Sequence, residues 1–348
     1  MKTRPLKNYD STVGIEVYDV DLNNQEELLE LGRIAADQCI VFWDQKISTE
    51  KLHKIQSQWG SPSRAIIHNY VVDRRLHGRH WRDLFLNMGY VTKEIDPKMS
   101  DAVVEVSFLR DANNKPRGLF AQGELDWHFD QASIDDSPRM IGLQSISDTA
   151  NSQTQFLCTY DAFESLSSDM KSTVRELVMK HRWKDGAEGF IPGVDSTQAL
   201  ITRYNFVPLD GLETKIYSET ASGRPGMKLS LFSFDGFVGM SMTESQRLFM
   251  ELWNTVLKDQ YVYTQNWQDG QIVFMDQEIT LHKRPTNVQH GNRRRMARVT
   301  TFLDKLYPEL QPRDHVRFQG QYLTHDEFAH LVDQDRLKIF KHEQFATA

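Results

Sequence analysis

Two segments far apart in the chain carry the side chains most able to do chemistry. One is Trp127-His128-Phe129-Asp130, and the other holds His282. Two imidazoles and one carboxylate on one face of a metal, with other positions open, suit non-haem Fe(II) oxygen chemistry. Residues i and i+2 of a strand point to the same side, so His128 and Asp130 are predicted to reach one metal. His282 from a distant strand is then the third ligand.

A His-x-Asp pattern is weak when it stands alone. The chain has 12 histidines, so about one such match is expected by chance. The plain alternative is a histidine on a surface strand beside an aspartate. His325-x-Glu327 shows the risk, because it follows a helix-capping residue, and positions i and i+2 of a helix do not share a face. We interpret that second pair as a solvated surface.

An arginine cluster at 293–298 follows His282 and enters a strand-like run. Alternation places Arg294, Met296 and Arg298 on one face of the strand. Arginine is suited to planar, two-point capture of a carboxylate, so the cluster indicates an anion site. A solvated basic strand edge is the alternative.

Bulk properties narrow the class of protein. The chain has 348 residues, 39% hydrophobic and 26% charged, which is ordinary for a globular protein. Its net charge of -7 leaves no basic footprint for nucleic acid. The two cysteines, Cys39 and Cys158, are too few for a disulfide framework or a thiolate zinc site and are typical of a reducing interior. Without a signal segment or an apolar membrane span, the sequence predicts a cytoplasmic protein that binds neither membrane nor nucleic acid.

Periodicity predicts the elements that must position these side chains. Helices are predicted over 24–38, from Ser48, from Asp161 to about Lys180, and after a capping box at Thr243. Strands are predicted at 14–20, 40–43, 141–147, 155–159, 272–275 and 297–303. This mixture predicts a mostly β protein with flanking helices (α+β). A double-stranded β-helix, or jelly roll, fits it best, because its two sheets close most edges and leave a mouth for a metal.

The chain is long enough for one large domain or two small ones. Its irregular, polar stretch at about 61–120 is typical of a lid or binding insert, and Arg117 within it is a candidate for the site mouth. Residues 306–348 are predicted to form a helical extension, since Thr324 can cap a charged helix.

Several segments in the right order resemble the TauD/TfdA-like (taurine dioxygenase) branch of the Fe(II)/2-oxoglutarate-dependent oxygenases. Ile40 to Ser48 is similar to the family stretch VVFLRDQ-x-I-(S/T), and Arg293 to Arg298 to its RR-x-M-x-R. The other similar segments are Gly14 to Leu22, Trp59-Gly60, Gly123 to Asp130, Tyr160 to Ser167 and Asp276 to His282. The resemblance covers roughly residues 12–305 and implies a single domain over residues 1–305.

This resemblance implies a clavaminate synthase-like jelly roll that uses Fe(II), 2-oxoglutarate and O2. It implies that His128, Asp130 and His282 ligate the metal and are the catalytic set. It further implies that Arg294 clamps the distal carboxylate of 2-oxoglutarate with help from Thr154. Arg298 falls where taurine dioxygenase binds the substrate sulfonate.

The implied reaction oxidises an unactivated C–H bond of a small, anionic molecule, such as an amino acid or a carboxylate natural-product precursor, and releases succinate and CO2. A halogenase of this class has a small residue in place of the carboxylate ligand. Because this chain has Asp130 there, hydroxylation, desaturation or cyclisation is favoured over halogenation. Asn151-Ser152-Gln153 departs from the family's Gly-Gly-Asp, and the sulfonate-binding histidine has no secure counterpart, which argues against taurine.

Two other functions stay open on the sequence. One is a non-catalytic jelly roll that holds a metal or an anion. It does not account for the 2-oxoglutarate clamp formed by Arg294 and Thr154. A zinc hydrolase could use three N/O ligands but needs a general base near the metal, and no residue here marks one. The expected partner is a small molecule, and a homo-oligomer is compatible with the chain.

Overall fold

The structure is a computed structural model. It describes residues 1–6, 13–61, 103–107, 109, 125–130, 132, 139–181, 212–231, 233–285, 293–310, 315–318 and 321–324. The insert at about 61–120 and Arg117 within it therefore lie largely outside the described residues.

The described chain is mostly strand, with helices packed on the outside. The strands are β1 Lys2–Pro5, β2 Gly14–Tyr18, β3 Ile40–Trp43, β4 Val103–Ser107, β5 Leu125–His128, β6 Met140–Ser147, β7 Gln153–Cys158, β8 Val178–His181, β9 Leu212–Lys215, β10 Tyr217–Glu219, β11 Pro225–Met227, β12 Phe234–Phe237, β13 Val262–Asn266, β14 Ile272–Asp276, β15 Thr280–Arg284, β16 Arg295–Thr301, β17 His315–Phe318 and β18 Gln321–Thr324. The helices are α1 Gln25–Asp37, α2 Thr49–Trp59, α3 Tyr160–Glu164, α4 Ser168–Glu176 and α5 Met242–Val256, with a 3-10 turn at Asp259–Tyr261.

Two sheets form the frame of the site. The major sheet has the order β1-β2-β3-β14-β6-β16-β4, and the minor sheet has the order β13-β7-β15-β5. Most neighbours in these sheets are antiparallel and distant in sequence, as in β6 against β16. The predicted jelly roll with flanking helices is confirmed, and it places β5, β15 and β16 around one interior.

Apolar side chains divide into an inner core and two outer cores. The inner core lies between the sheets and contains Ile141, Phe156 and Met296. One outer core lies under α1 and α2, and the other contains residues of α3, α4 and α5. On β16, Met296 belongs to the inner core and Ala297 to an outer one, so the predicted alternation along this strand is confirmed.

Helices α1 and α2 form where their caps and apolar stripes predict. The Asn24 side chain accepts hydrogen bonds from the first turn of α1, and Ser48 does the same for α2. Trp59 ends α2 and donates its indole N–H to the Leu28 carbonyl oxygen at 2.8 Å. A Cβ on Gly32 would lie 2.6 Å from the Trp59 ring, so a glycine is required for this close approach.

Two predictions about elements need correction. The helix expected up to Lys180 ends at Glu176, is interrupted between α3 and α4, and is followed by strand β8. The capping box of α5 uses Ser241 and Glu244, two residues before the predicted pair. In the C-terminal extension, β17 and β18 pair antiparallel, and the charged helix predicted after Thr324 lies outside the described residues.

Cys39 and Cys158 are joined by a disulfide, with 5.6 Å between their Cα atoms. Cys39 directly precedes β3 of the major sheet, and Cys158 ends β7 of the minor sheet, so the bond ties the two sheets together. The cysteine count therefore no longer supports a reducing compartment. None of the helices that the structure describes is long and apolar enough to cross a membrane.

Candidate metal centre

The two candidate histidine ligands meet because their strands are neighbours. Strands β5 and β15 run antiparallel, and His128 lies directly opposite His282. Opposed residues of such a pair project from the same face, and the two ring centroids are 4.3 Å apart. Strand pairing thus brings together imidazoles that are 282 − 128 = 154 positions apart in sequence.

Asp130 completes the cluster from a turn rather than from a strand. Its Oδ1 lies 3.6 Å from His128 Nε2 and 3.8 Å from His282 Nε2. One ligand atom from each of the three residues lies within 4.8 Å of the others. The sequence predicted His128 and Asp130 on one strand, but β5 ends at His128. The prediction that the three side chains converge is confirmed, but the prediction that His128 and Asp130 lie on one strand is wrong.

Both imidazoles turn Nε2 toward Asp130. Nδ1 of His128 lies 2.5 Å from the carbonyl oxygen of Asp126. A carbonyl oxygen only accepts, so Nδ1 carries the proton, and Nε2 is the nitrogen that faces Asp130 and can bind a metal. Burial lowers the pKa of His282 to about 3, with a further contribution from His128, so its ring is neutral at pH 7.

Arg298 holds Asp130 ionised. Its Nη1 donates to Asp130 Oδ2 at 2.5 Å, across from the major sheet. Burial alone would raise the pKa of Asp130, but Arg298 and the two imidazoles outweigh it and keep that pKa well below its usual range. With Oδ2 engaged by Arg298, Oδ1 is the oxygen that faces both histidines.

Gln277 fixes the turn that carries Asp130. Its side-chain Oε1 accepts the Asp130 backbone N–H at 2.6 Å, and its backbone N–H donates to the Arg139 carbonyl oxygen. Two buried acids flank it. Burial raises the pKa of Asp276, whereas Lys228 and Arg139 overcome burial and lower the pKa of Glu278. No sequence signal pointed to Gln277, because its partner is a backbone group far away in the chain.

The residues predicted to bind 2-oxoglutarate are both buried in the frame. Arg294 directly precedes β16 and is 2% exposed. Burial, and after it the nearby Arg284, lowers its pKa to about 9. Thr154 lies on β7, and its Oγ1 accepts the indole N–H of Trp267 at 2.9 Å. Arg284, two residues beyond His282, was missed, although strand alternation could have identified it.

The donor set of this cluster fits a divalent transition metal. Two imidazole nitrogens and one ionised carboxylate oxygen are the ligands that ferrous iron accepts, and three protein ligands leave positions for further ligands. Among the residues that the structure describes, no other group of histidine, cysteine and acidic side chains meets the same distance criterion. Arg117 and the His325-x-Glu327 pair lie outside the described residues.

Comparisons with known proteins agree with this geometry. The family model described as "Taurine catabolism dioxygenase TauD, TfdA family" matches residues 2–300. Pentalenolactone F synthase of Streptomyces avermitilis is 24% identical over 221 residues, which cover 61% of this chain and 72% of that protein.

Two solved structures share the fold. A taurine dioxygenase from Burkholderia xenovorans superposes with a TM-score of 0.59 at 17% identity, covering 94% of this chain and 97% of its own. AAD-2 in complex with Mn(II) and N-oxalylglycine gives a TM-score of 0.59 at 17% identity, covering 86% and 96%.

Proposed function

This chain belongs to the TauD/TfdA dioxygenase family and is a 2-oxoglutarate-dependent non-haem iron dioxygenase, and from that premise we propose that its substrate is a small anion. An amino acid or a carboxylate natural-product precursor is the class we expect. Family membership decides against the two alternatives, a non-catalytic jelly roll and a zinc hydrolase. The proposal goes beyond family membership in giving the substrate a negative charge, and the position of Arg298 supports this charge.

The metal ligands in this proposal are His128, Asp130 and His282. Bound Fe(II), with 2-oxoglutarate and O2, supplies the oxidising power that yields succinate and CO2 and oxidises a substrate C–H bond. The protein contributes two imidazole nitrogens and one fixed carboxylate oxygen. Because Asp130 occupies the place where a halogenase of this class has a small residue, hydroxylation, desaturation or cyclisation is the expected outcome.

Arg294 and Thr154 are proposed to hold the distal carboxylate of 2-oxoglutarate. A guanidinium that is 2% exposed loses much of its hydration, so a carboxylate partner gains more there than at the surface. The Thr154 oxygen already accepts from Trp267, which leaves the hydroxyl proton available for an acceptor.

The observation that supports an anionic substrate is the position of Arg298. Its Nη1 is engaged with Asp130, one of the three ligands. Its Nε is buried and has no hydrogen-bond partner in the described part of the chain. A buried N–H without an acceptor is costly, and an anionic group beside the metal would supply one. Arg298 would thus orient both the metal ligand Asp130 and the substrate anion.

A matched pair of compounds tests the charge of the substrate. Small carboxylic acids and their neutral amides are screened with Fe(II), 2-oxoglutarate and O2, and succinate formation is measured. We expect an acid to stimulate turnover when its amide does not. Equal stimulation by the acid and the amide, for every active skeleton, would contradict the proposal.

Two variants test the assigned residues. His128→Ala is expected to abolish turnover through loss of the metal, and Arg294→Ala through loss of co-substrate affinity. Near-wild-type succinate production at limiting 2-oxoglutarate by either variant would remove that residue from the site.

The remaining sequence interpretations stay proposals. We propose one dioxygenase domain over residues 1–305, with an insert at about 61–120 and Arg117 at its mouth. A small-molecule substrate without nucleic acid or membrane partners fits the family. A cytoplasmic location and a homo-oligomer are predictions for fractionation and for light scattering.

A further inference from the structure

Arg284 is a buried cation close to the metal centre that the proposed function does not use. It ends β15, two residues beyond His282, and is 5% exposed. Its guanidinium is charged at pH 7, as in any arginine. Strand alternation places its side chain on the same face as that of His282. A charged guanidinium in the interior is rare and points to a role that a surface arginine could not fill.

A second buried guanidinium lies close to the first. Arg294 is 2% exposed, and the charge of Arg284 is one cause of its lowered pKa. Two like charges in a poorly solvated interior repel, so each makes the other harder to bury. A bound anion would reverse the sign of this interaction, because it attracts both groups.

Strand register adds a hydroxyl to the same place. Strands β15 and β7 pair His282 with Phe156 and Lys283 with Gln155. The same register continued by one step would place Arg284 opposite Thr154. Directly opposed side chains project from one face, so the Thr154 hydroxyl and the Arg284 guanidinium share the interior side of the minor sheet.

We propose that Arg284 is a second cation for the distal carboxylate of 2-oxoglutarate, acting together with Arg294 and Thr154. Its function is to select a dicarboxylate co-substrate over a 2-oxo acid without the second carboxylate. The inference depends on the proposed binding site of Arg294 and Thr154 and adds a residue that the family resemblance did not supply. A carboxylate of the substrate is the other possible source of the same anion, and the experiment separates the two.

The decisive measurement compares two 2-oxo acids of equal length. Calorimetry on the anaerobic Fe(II) protein gives the Kd of 2-oxoglutarate and of 2-oxopentanoate, in which a methyl group replaces the distal carboxylate. Arg284→Met is expected to weaken 2-oxoglutarate binding by about 10- to 100-fold, the range for a charge-assisted hydrogen bond. Binding of 2-oxopentanoate is expected to stay as in the wild type, so the selectivity falls.

Lys283→Met is the matched control, because it removes one positive charge from the adjacent position, whose side chain points to the other face of β15. It should leave both Kd values unchanged. Arg284→Lys keeps the charge but not the two-point geometry, so it should retain part of the selectivity even if Arg284→Met folds poorly. Melting curves of all variants check folding independently of ligand binding.

Each outcome bears on a different claim. Wild-type protein that prefers 2-oxoglutarate, with an unchanged preference in folded Arg284→Met, overturns the inference alone. An equal loss of affinity for both 2-oxo acids would show that Arg284 has only a structural role, which also overturns the inference. If Arg284→Met binds 2-oxoglutarate as the wild type does but binds an active substrate acid more weakly, Arg284 belongs to the substrate site instead. No preference in the wild type refutes the proposed carboxylate site itself.

Discussion

Gln277→Met is predicted to weaken metal binding without touching a metal ligand. Gln277 is 1% exposed in the connection between β14 and β15, and its Oε1 accepts the backbone N–H of Asp130 at 2.6 Å. Methionine has a similar length and lacks the acceptor. The Asp130 N–H would then remain buried without this partner, and the turn that presents the carboxylate would lose its fixed point.

The magnitude follows from the buried donor. An unsatisfied N–H in the interior costs about 1–3 kcal/mol, which is the expected loss in the free energy of unfolding of the metal-free protein. Removing an outer partner of a metal site weakens metal affinity by about 10- to 100-fold. We expect the Kd of Mn(II), used as an oxygen-stable probe, to rise within this range.

The assay combines urea unfolding with a competitive Mn(II) titration. Gln56→Met is the control, because Gln56 is fully buried and donates to the Val299 carbonyl oxygen, outside the metal cluster. It should lose comparable stability but keep the wild-type Kd. If Gln277→Met is destabilised as expected but binds Mn(II) as tightly as Gln56→Met, our interpretation of the Asp130 turn is refuted.

Three further predictions concern the surrounding frame. Thr154→Val should raise the Kd of 2-oxoglutarate by about 3- to 10-fold in calorimetry, because it removes one hydroxyl from the carboxylate site; an unchanged Kd excludes this contact. His181 has its pKa lowered from 6.5 to about 3 by burial and by Lys228, so the unfolded chain binds the proton first, and stability should fall as pH drops from 6.5 toward 3. His181→Gln should reduce that slope, by up to about 1.4 kcal/mol per pH unit, in urea unfolding series; an equal slope contradicts the assignment. Gly226→Ala should cost about 1–3 kcal/mol of stability, since its Cβ would lie 2.5 Å from Ile279 Cγ2, and wild-type stability would show that β11 can shift away.

Local patterns predicted the outer helices well, because caps and apolar stripes act over a few residues. Ser48 caps α2 as expected, and α1 begins at Gln25, one residue after its predicted start at Asn24, which caps it. The same local reasoning failed after α4, where Val178–His181 pairs with β9 and β12 instead of continuing a helix. Strand pairing between distant segments overrode local helix propensity there.

The candidate site was predictable where residue type and order carried the information. His128, Asp130 and His282 were named from chemistry and resemblance, and the structure brings them together. Their geometry was not predictable, because it depends on the pairing of β5 with β15. The ion pair of Arg298 with Asp130, and the disulfide, likewise join segments that no local pattern connects.

The most direct test of the account is an anaerobic titration of metal-free protein with Fe(II) and then 2-oxoglutarate, followed by visible absorption. Chelation of the metal by the co-substrate is expected to give a metal-to-ligand charge-transfer band in the wild type and in His181→Gln, a buried histidine outside the cluster. His128→Ala should give none. Iron shown to be bound to the wild type, without the band after 2-oxoglutarate is added, would contradict the central claim.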